Sequence, residues 1–158
     1  MVHVGQSYHL KDSFFTLVND DKLMRNKENG RYRPHYFCFE DNLNPDILWA
    51  IPQTTQVEKF REIYNRKVAK YGFCNTILFG SFAGQDNAFL IQNMFPIISK
   101  YIDHVHTVNG IPVTLQTSFE RTLIKQARSV LALHRRGRNL IFPDIDRIYA
   151  LMINELNL

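Results

Sequence analysis

The stretch that decides the fold reads HYFCFEDNLNPDILWAI and covers residues 35–51. Aromatic and β-branched residues are frequent at both of its ends, whereas the middle, NLNPD, consists mostly of residues typical of turns. This pattern predicts a β-hairpin, in which two antiparallel strands are joined by a short loop.

Further elements are expected on both sides of this hairpin. In chain order they are a strand near residues 4–9, a helix capped by Asp12 or Ser13, a loop over residues 19–33, a helix capped by Thr54 or Thr55 and ending at Tyr71, a second hairpin over 75–93, a strand within 101–115, a helix over 118–136 and a last helix from Pro143 onward. Gly72 and Gly137 supply the left-handed conformation at which helices commonly stop. Strands among helices, without βαβ alternation, predict an α+β fold with a small, strongly bent antiparallel sheet or partial barrel surrounded by helices.

Length and composition limit what the chain can be. It has 158 residues, 45% of them hydrophobic and 22% charged, which is close to globular averages and excludes disorder, collagen and coiled coil. We therefore expect one domain over residues 1–158. No apolar run approaches the ~20 residues of a membrane span and no secretory signal is visible, so we expect a cytoplasmic protein without a membrane partner. Cys38 and Cys74 form no CxxC pair and are expected to be reduced.

Basic residues cluster on two of the predicted helices. The net charge is only +4, but residues 59–70 contain one acid, Glu62, and residues 121–138 contain none. At 100° per residue the cations form one stripe on each helix. The stripes consist of Lys59, Arg66 and Lys70 on the first helix and of Arg121, Lys125, Arg128, Arg135 and Arg136 on the second. Solvated helix faces would explain them, but stripes of a single sign are typical of proteins that bind a phosphate backbone.

Motifs of the common nucleotide-binding and hydrolytic enzymes are missing from the sequence. It lacks GxxxxGK[ST], GxGxxG, GxSxG and HExxH, each of which serves a specific chemistry. His104 and His106 are spaced to share one face of a strand, but no nearby cysteine or pair of carboxylates completes a set of metal ligands. We therefore expect neither a metal nor a cofactor.

The junction between the central hairpin and the next helix is suited to bind an anion. The segment IPQTTQVEKF, residues 51–60, places the hydroxyls of Thr54 and Thr55 where a strand leads into a helix N-terminus with free N–H groups. Lys59 follows one turn later and can reach the same site. An ordinary capping role for the two hydroxyls is the alternative.

Cations and aromatic rings are concentrated just before the hairpin, in the segment GRYRPHYF. It contains Arg31, Tyr32, Arg33 and His35. An extended single-stranded nucleic acid needs charge for its phosphates and rings on which its bases stack. A solvent-facing loop above packed aromatic residues is the alternative.

The order of these segments resembles a known family. The motifs RPHYFCF (33–39), IPQTTQVEK (51–59) and AFLIQNMFPI (88–97), followed by a basic helix, are similar to the ToxN/AbiQ-like endoribonuclease toxins of type III toxin–antitoxin systems, most closely to the CptN branch. The resemblance covers about residues 31–155. It implies a fold related to the MazF-like and Kid-like toxin barrels, metal-independent RNA cleavage and a role in phage defence.

The resemblance also implies RNA partners. One is a small, structured antitoxin RNA, repeat-derived and pseudoknotted, which the toxin cuts from its precursor and then holds in a closed protein–RNA assembly. The other is cellular messenger RNA, the substrate. No membrane is involved.

The site residues of the family can be carried over to this chain. Its strand-end proline and hydroxyl pair fall on Pro52, Thr54 and Thr55, and its basic residues fall on Arg33 and Lys59. The implied reaction is attack of a ribose 2′-hydroxyl on the adjacent phosphate, which leaves a 2′,3′-cyclic phosphate and a 5′-hydroxyl. The two cations and the hydroxyls are expected to stabilise charge on the phosphoryl oxygens.

His35 is the alternate acid or base, because an imidazole has an ordinary pKa near 6.5; a packing role for this histidine is the alternative. A non-catalytic RNA-binding protein that uses the same basic groove is the second function class. A small enzyme acting on a nucleotide-like ligand is the third, and the missing phosphate loops disfavour it. Arg31, Tyr32 and the two basic stripes are expected to bind RNA under either of the first two hypotheses.

Overall fold

The computed structural model of the protein describes residues 2–158. In chain order the strands are β1 (Ser7–Leu10), β2 (Lys27–Glu28), β3 (Arg31–Tyr32), β4 (His35–Glu40), β5 (Ile47–Thr54), β6 (Ile77–Phe82), β7 (Gln85–Leu90), β8 (Phe95–Ile98), β9 (Ile102–Val105), β10 (Thr107–Val108) and β11 (Ile111–Pro112). The helices are α1 (Asp12–Val18), α2 (Val57–Tyr71), α3 (Thr117–Arg135) and α4 (Ile145–Leu156). Within residues 2–158 every helix is too short or too polar to cross a membrane.

Strand β5 is the centre of an open sheet of seven antiparallel strands. It pairs with β4 along one side. Along the other side Ile47–Ala50 pair with β8, whereas Gln53 and Thr54 pair with β7. The strand order is β6-β7-β5-β4-β1-β9, with β8 beside β5. The predicted α+β class and antiparallel sheet are therefore confirmed, and the sheet does not close into a barrel.

Side chains on both faces of the sheet are buried. On one face, Tyr36 and Trp49 pack with Leu123 and Ala127 of α3. On the other, Phe37 packs with α1, β8 and α4. Strands covered on both faces have apolar residues at consecutive positions instead of alternating ones. This is why β5 is buried at all eight of its positions.

The helices agree with the sequence prediction in extent but not in all of their caps. Helix α2 ends at Tyr71 before Gly72, whose φ is 85°. The prediction that Thr54 or Thr55 caps α2 is wrong, because the residue before this helix is Gln56. The hydroxyl of Thr54 belongs to the end of β5 and accepts the N–H of Gln56 at 3.1 Å. At the start of α1 the residue before the helix is Lys11, and the expected caps lie inside the helix.

The expected loop over residues 19–33 contains a small hairpin, β2–β3. Its two turn residues, Asn29 and Gly30, have φ values of 53° and 77°. These positive values are those of a type I′ turn, for which Asn-Gly is the preferred pair. The prediction missed the hairpin because strands of two residues are too short to show periodicity. Strand β8 was also not predicted, and the expected strand over 101–115 is three short ones.

Candidate active site

A cleft of about 610 Å³ lies where β5 ends. The β2–β3 hairpin forms one side of it, and the turn that joins β6 to β7 forms another. Residues 53–55, at the end of β5, line the cleft between them, and His106 contributes from the segment between β9 and β10. Four stretches that are distant in sequence therefore meet at this point.

Arg33 is a buried cation of the cleft, with 4% of its surface exposed. Its guanidinium donates to the carbonyl oxygens of Arg25 and Gln53, each at 2.8 Å. It also forms an ion pair with Glu28, with 2.6 Å between Nη1 and Oε2. Burial lowers the pKa of Arg33 from its usual value, whereas the charge and hydrogen bond of Glu28 oppose this shift. An arginine remains protonated under such conditions, so the cleft contains a fixed positive charge.

The carboxylate of Glu28 also accepts hydrogen bonds from both threonines. Thr54 Oγ1 donates to its two oxygens at 2.9 and 3.1 Å, and Thr55 Oγ1 donates to Oε1 at 3.3 Å. Three side chains that the sequence assigned to phosphate, Arg33 and the two threonines, are thus brought together with their donors aimed at one anion. Glu28, which was not predicted, provides that anion.

His35 lies beneath the cleft and does not line it. Its side chain is fully buried, and its Nδ1 lies 3.0 Å from the carbonyl oxygen of Arg33. Burial, together with the charge of Arg33, lowers the pKa of His35 to about 3. The ring also packs near Phe15 and Phe95. The structure therefore places this histidine in the core as a neutral side chain.

The basic stripe of α2 lies outside the cleft lining. Lys59, Arg66 and Lys70 are exposed. The ammonium of Lys59 lies over the ring of its neighbour Phe60, at 5.5 Å from the ring centre. Lys59 is therefore not among the residues that line the cleft with Arg33 and the threonines.

The basic stripe of α3 is exposed along the whole helix. It consists of Arg121, Lys125, Arg128, Arg135 and Arg136. The guanidinium of Arg128 lies 4.2 Å from the centre of the Phe39 ring. That of Arg135 lies 3.7 Å from the carboxylate of Asp41 and also over Trp49. The stripe is therefore partly fixed against the domain and otherwise free to contact a ligand.

Arg31 and Tyr32 do line the cleft, at its mouth. Tyr32 has 40% of its surface exposed. Its hydroxyl donates to Asp12 at 3.0 Å, and the ammonium of Lys27 lies 4.8 Å from its ring centre. An exposed ring held by its hydroxyl is a platform on which a base can stack.

Two further residues of the cleft, Glu28 and His106, were missed as site residues. Glu28 precedes the Asn-Gly turn, so recognising this turn would have predicted the hairpin that carries it. The HxH pattern drew attention to His106 only as a metal ligand. Among residues 2–158, no group of three or more His, Cys, Asp or Glu side chains is placed to share a metal ion.

Comparison with known proteins identifies the fold. No family model and no curated protein sequence matches the chain. Among solved structures, it is similar to AbiQ, a lactococcal anti-phage endoribonuclease belonging to the type III toxin–antitoxin system. The match has a TM-score of 0.69 at 13% sequence identity and covers 99% of this chain and 100% of AbiQ. The chain therefore has the fold of AbiQ over the part that the match covers, as its resemblance to the ToxN/AbiQ-like toxins implied.

Proposed function

We propose that this chain is an endoribonuclease toxin of a type III toxin–antitoxin system. It cleaves single-stranded RNA without a metal ion and leaves 2′,3′-cyclic phosphate ends. Its partner is a structured antitoxin RNA made of repeats, which it cuts from a precursor and which then inhibits it in a protein–RNA assembly.

The convergence of three donors in the cleft is the observation that supports this function. Arg33, Thr54 and Thr55 all donate to the carboxylate of Glu28. Carboxylates and phosphates are both oxygen anions and are bound by the same kinds of donor, above all by the fork of an arginine. A phosphate that displaces this carboxylate meets the same three donors.

The proposed reaction places three demands on the protein. It must hold the 2′-oxygen, the phosphorus and the 5′-oxygen in line, neutralise charge on the phosphoryl oxygens, and allow two protons to move. We assign the charge neutralisation to Arg33 and to the hydroxyls of Thr54 and Thr55. Arg31 and Tyr32 at the mouth of the cleft bind the strand on either side of the reacting phosphate.

The antitoxin is proposed to bind over a wider area than the cleft. A folded RNA carries phosphates in several directions, and the stripes on α2 and α3 add exposed cations outside the cleft. Such contacts are sequence-independent and weaken with salt. A partner that covers them and the cleft together would block access to substrate.

The test is incubation of the protein with mixed single-stranded RNA in EDTA, followed by mapping of the fragment ends. We expect fragments that end in a 2′,3′-cyclic phosphate. A parallel sample of Lys59→Ala, which keeps the fold because Lys59 is exposed, tests whether this amine takes part once RNA is bound. If Lys59 has the role that the family resemblance implies, this variant loses cleavage but retains most of its affinity for RNA.

A non-catalytic RNA-binding protein is the second candidate, because Arg33, Thr54 and Thr55 already donate to the carboxylate of Glu28. RNA that shifts on a native gel but remains intact would favour this candidate. RNA that is neither cut nor bound would contradict both functions.

A further inference from the structure

We propose that His106 is a further catalytic residue of the cleft, whose Nε2–H donates a hydrogen bond to a phosphoryl oxygen, and that His9 is a positioning residue that sets this proton. The inference rests on the proposed cleavage of RNA at this cleft. It concerns the side of the cleft formed by the segment between β9 and β10.

Three histidine rings lie next to one another beside the cleft. The ring of His9 lies between those of His104 and His106, with centre-to-centre distances of 4.6 and 4.9 Å. Nε2 of His9 and Nδ1 of His106 are 2.7 Å apart, so they share a hydrogen bond. His106 lines the cleft, whereas His9 and His104 do not. The ring of His106 also packs against Phe82, at a centre-to-centre distance of 5.2 Å.

The protons of this pair can be assigned from the surroundings of His9. Its other nitrogen, Nδ1, is sealed from solvent and has no hydrogen-bond partner among residues 2–158. A buried N–H without an acceptor is rarer in proteins than an acceptor left without a donor. Nδ1 of His9 therefore carries the lone pair, and its Nε2–H donates to His106. Burial, with the charges of His106 and His104, lowers the pKa of His9 to about 4 and thus keeps this ring neutral.

The tautomer of His106 follows from that of its partner. Because Nδ1 of His106 accepts a hydrogen bond from the Nε2–H of His9, a neutral His106 must carry its own proton on Nε2. Nε2 has no hydrogen-bond partner among residues 2–158 and is not sealed from solvent. The imidazole is thus held at one edge and presents an N–H at the other, as a donor for an anion.

A neutral donor differs from an acid in what it does during cleavage. His106 gives no proton away, so its N–H bond stays intact while the bond from the 2′-oxygen to phosphorus forms and the bond from phosphorus to the 5′-oxygen breaks. The 2′-hydroxyl gives up one proton and the departing 5′-oxygen takes up one, both exchanged with solvent, so the step balances without a proton from the histidine. The hydrogen bond strengthens as charge grows on the phosphoryl oxygen, which is how a pre-oriented donor lowers a barrier. Arg33 and the two threonines bind the phosphate from the β5 side, and His106 binds it from the side formed by the segment between β9 and β10.

The experiment compares phosphate oxygens one at a time. Once the cleavage site of the wild-type protein is mapped, that RNA is synthesised with either non-bridging oxygen of the scissile phosphate replaced by sulfur, a poor hydrogen-bond acceptor. We expect His106→Ala to cleave the all-oxygen RNA about 10²-fold more slowly, as for loss of one such donor. We also expect one sulfur isomer to slow the wild type and to have little further effect on the variant.

His9 has its own variants and a control. His9→Gln keeps an N–H near the position of Nε2 and is expected to retain most of the activity, whereas His9→Leu loses it to about the level of His106→Ala. The exposed His3→Ala is the matched control. Long-range proton–nitrogen NMR spectra report the tautomer directly and are expected to show His106 protonated on Nε2, in His9→Gln as in the wild type.

The pH dependence separates a neutral donor from an imidazolium acid. The ionisable groups near His106 are His9 and His104, and those that line the same cleft are Glu28, Arg31, Tyr32, Arg33 and Asp86. We expect the ratio of wild-type to His106→Ala rates to stay constant between about pH 6 and 8. A ratio that falls steadily as the pH rises would identify a proton donor and overturn the assignment.

Other outcomes would also overturn it. If each sulfur isomer slowed the wild type and His106→Ala by the same factor, this histidine would not contact the phosphate. NMR spectra with the His106 proton on Nδ1 would remove the role of His9. A wild-type protein that leaves every RNA intact would overturn the proposed function and this inference with it, whereas the first two results leave the proposed function standing.

Discussion

Thr54 is the residue whose hydroxyl has two roles in the structure. It donates to the carboxylate of Glu28 and accepts the N–H of Gln56. Thr54→Val keeps the shape of the side chain and removes both bonds. We expect cleavage to fall about 10²-fold, as for loss of a donor at an oxyanion site, and RNA affinity to change little because the surface cations remain. The measurement is single-turnover cleavage beside gel-shift binding.

Thr122→Val is the matched control for that variant. The hydroxyl of Thr122 donates only to a carbonyl oxygen of its own helix α3, at 3.2 Å. This control should cleave at the wild-type rate. Equal rates for Thr54→Val and Thr122→Val would exclude the Thr54 hydroxyl from the chemistry.

Glu28 competes with phosphate for the same donors. Glu28→Gln keeps the size of the side chain but removes a negative charge from the position that we assign to the phosphate. Binding of a 2′-deoxy analogue, which cannot be cleaved, should therefore tighten about tenfold at low salt. Thermal unfolding of the same variant measures what the ion pair with the buried Arg33 contributes to stability. Weaker binding by a folded Glu28→Gln protein would contradict the competition.

At the level of elements, one glycine allows helix α3 to approach strand β6. A methyl group added at Gly80 would lie 2.5 Å from Cζ of Phe119, whose ring also packs against Phe89. Gly80→Ala must therefore displace a ring between the sheet and the helix. We expect the free energy of unfolding to fall by about 1–3 kcal/mol, as for overpacked cores, measured by urea denaturation.

Gly84 provides the comparison for this prediction. It lies in the turn between β6 and β7, and an added methyl group there meets nothing within 4 Å. Its φ of 77° strains any other residue, so Gly84→Ala reports the backbone cost alone. A Gly80→Ala protein as stable as the wild type would show that Phe119 moves freely.

The basic face of α3 is predicted to act through charge alone. Arg121 and Lys125 are exposed and form no ion pair within residues 2–158. Replacing both by alanine should weaken RNA binding. The slope of log affinity against log salt should become shallower by about 0.7 for each lost phosphate contact. Lys22→Ala, an exposed lysine away from α3, is the control, and an unchanged slope in the double variant would exclude this face from RNA binding.

At the level of the whole molecule, two histidines with lowered pKa values predict how stability depends on pH. The pKa of His35 is lowered to about 3, by burial and then by the charge of Arg33, and that of His9 is lowered to about 4. An unfolded histidine binds a proton below about pH 6.5, and the folded one does not until the pH is much lower. The free energy of unfolding should therefore be unaffected above about pH 6.5 and should fall as the pH drops towards 4. For His35 alone, the free energy of unfolding should be lower by about 3 kcal/mol at pH 4 than at pH 6.5.

His35→Gln removes one of these titrations while keeping an N–H donor of similar size. Its stability at pH 7 is expected to be lower, but its decline between about pH 6.5 and 4 should be shallower than in the wild type. Urea midpoints measured across this range test it, with the exposed His3→Gln as control. Parallel curves for the wild type and His35→Gln would mean that His35 takes up its proton in the folded state.

The α+β class, the two main hairpins and the extents of α2, α3 and α4 were predictable because they depend on local patterns. Alternation, turn residues and left-handed glycines act over a few neighbouring positions, as Gly72 after Tyr71 shows. The sequence also grouped Arg33 with Thr54 and Thr55, and the structure brings these three side chains together around the carboxylate of Glu28. The closer likeness to the CptN branch and the catalytic roles of the site residues stay predictions.

The partners of these residues depended on contacts between distant segments. Glu28 reaches Arg33 and Thr54 because the β2–β3 hairpin lies beside the end of β5. Each strand of this hairpin has only two residues, which is too short for a periodic sequence pattern. His35 lies in the core, although Arg33 and Pro34 just before it line the cleft, because its ring packs near Phe15 and Phe95, which come from distant parts of the chain. Lys59 lies on α2, which starts only at Val57, whereas Thr54 still belongs to β5, and the lysine is not among the residues that line the cleft. His9 and His106 meet through the pairing of β1 with β9, a contact that spans almost 100 residues and that local sequence does not encode.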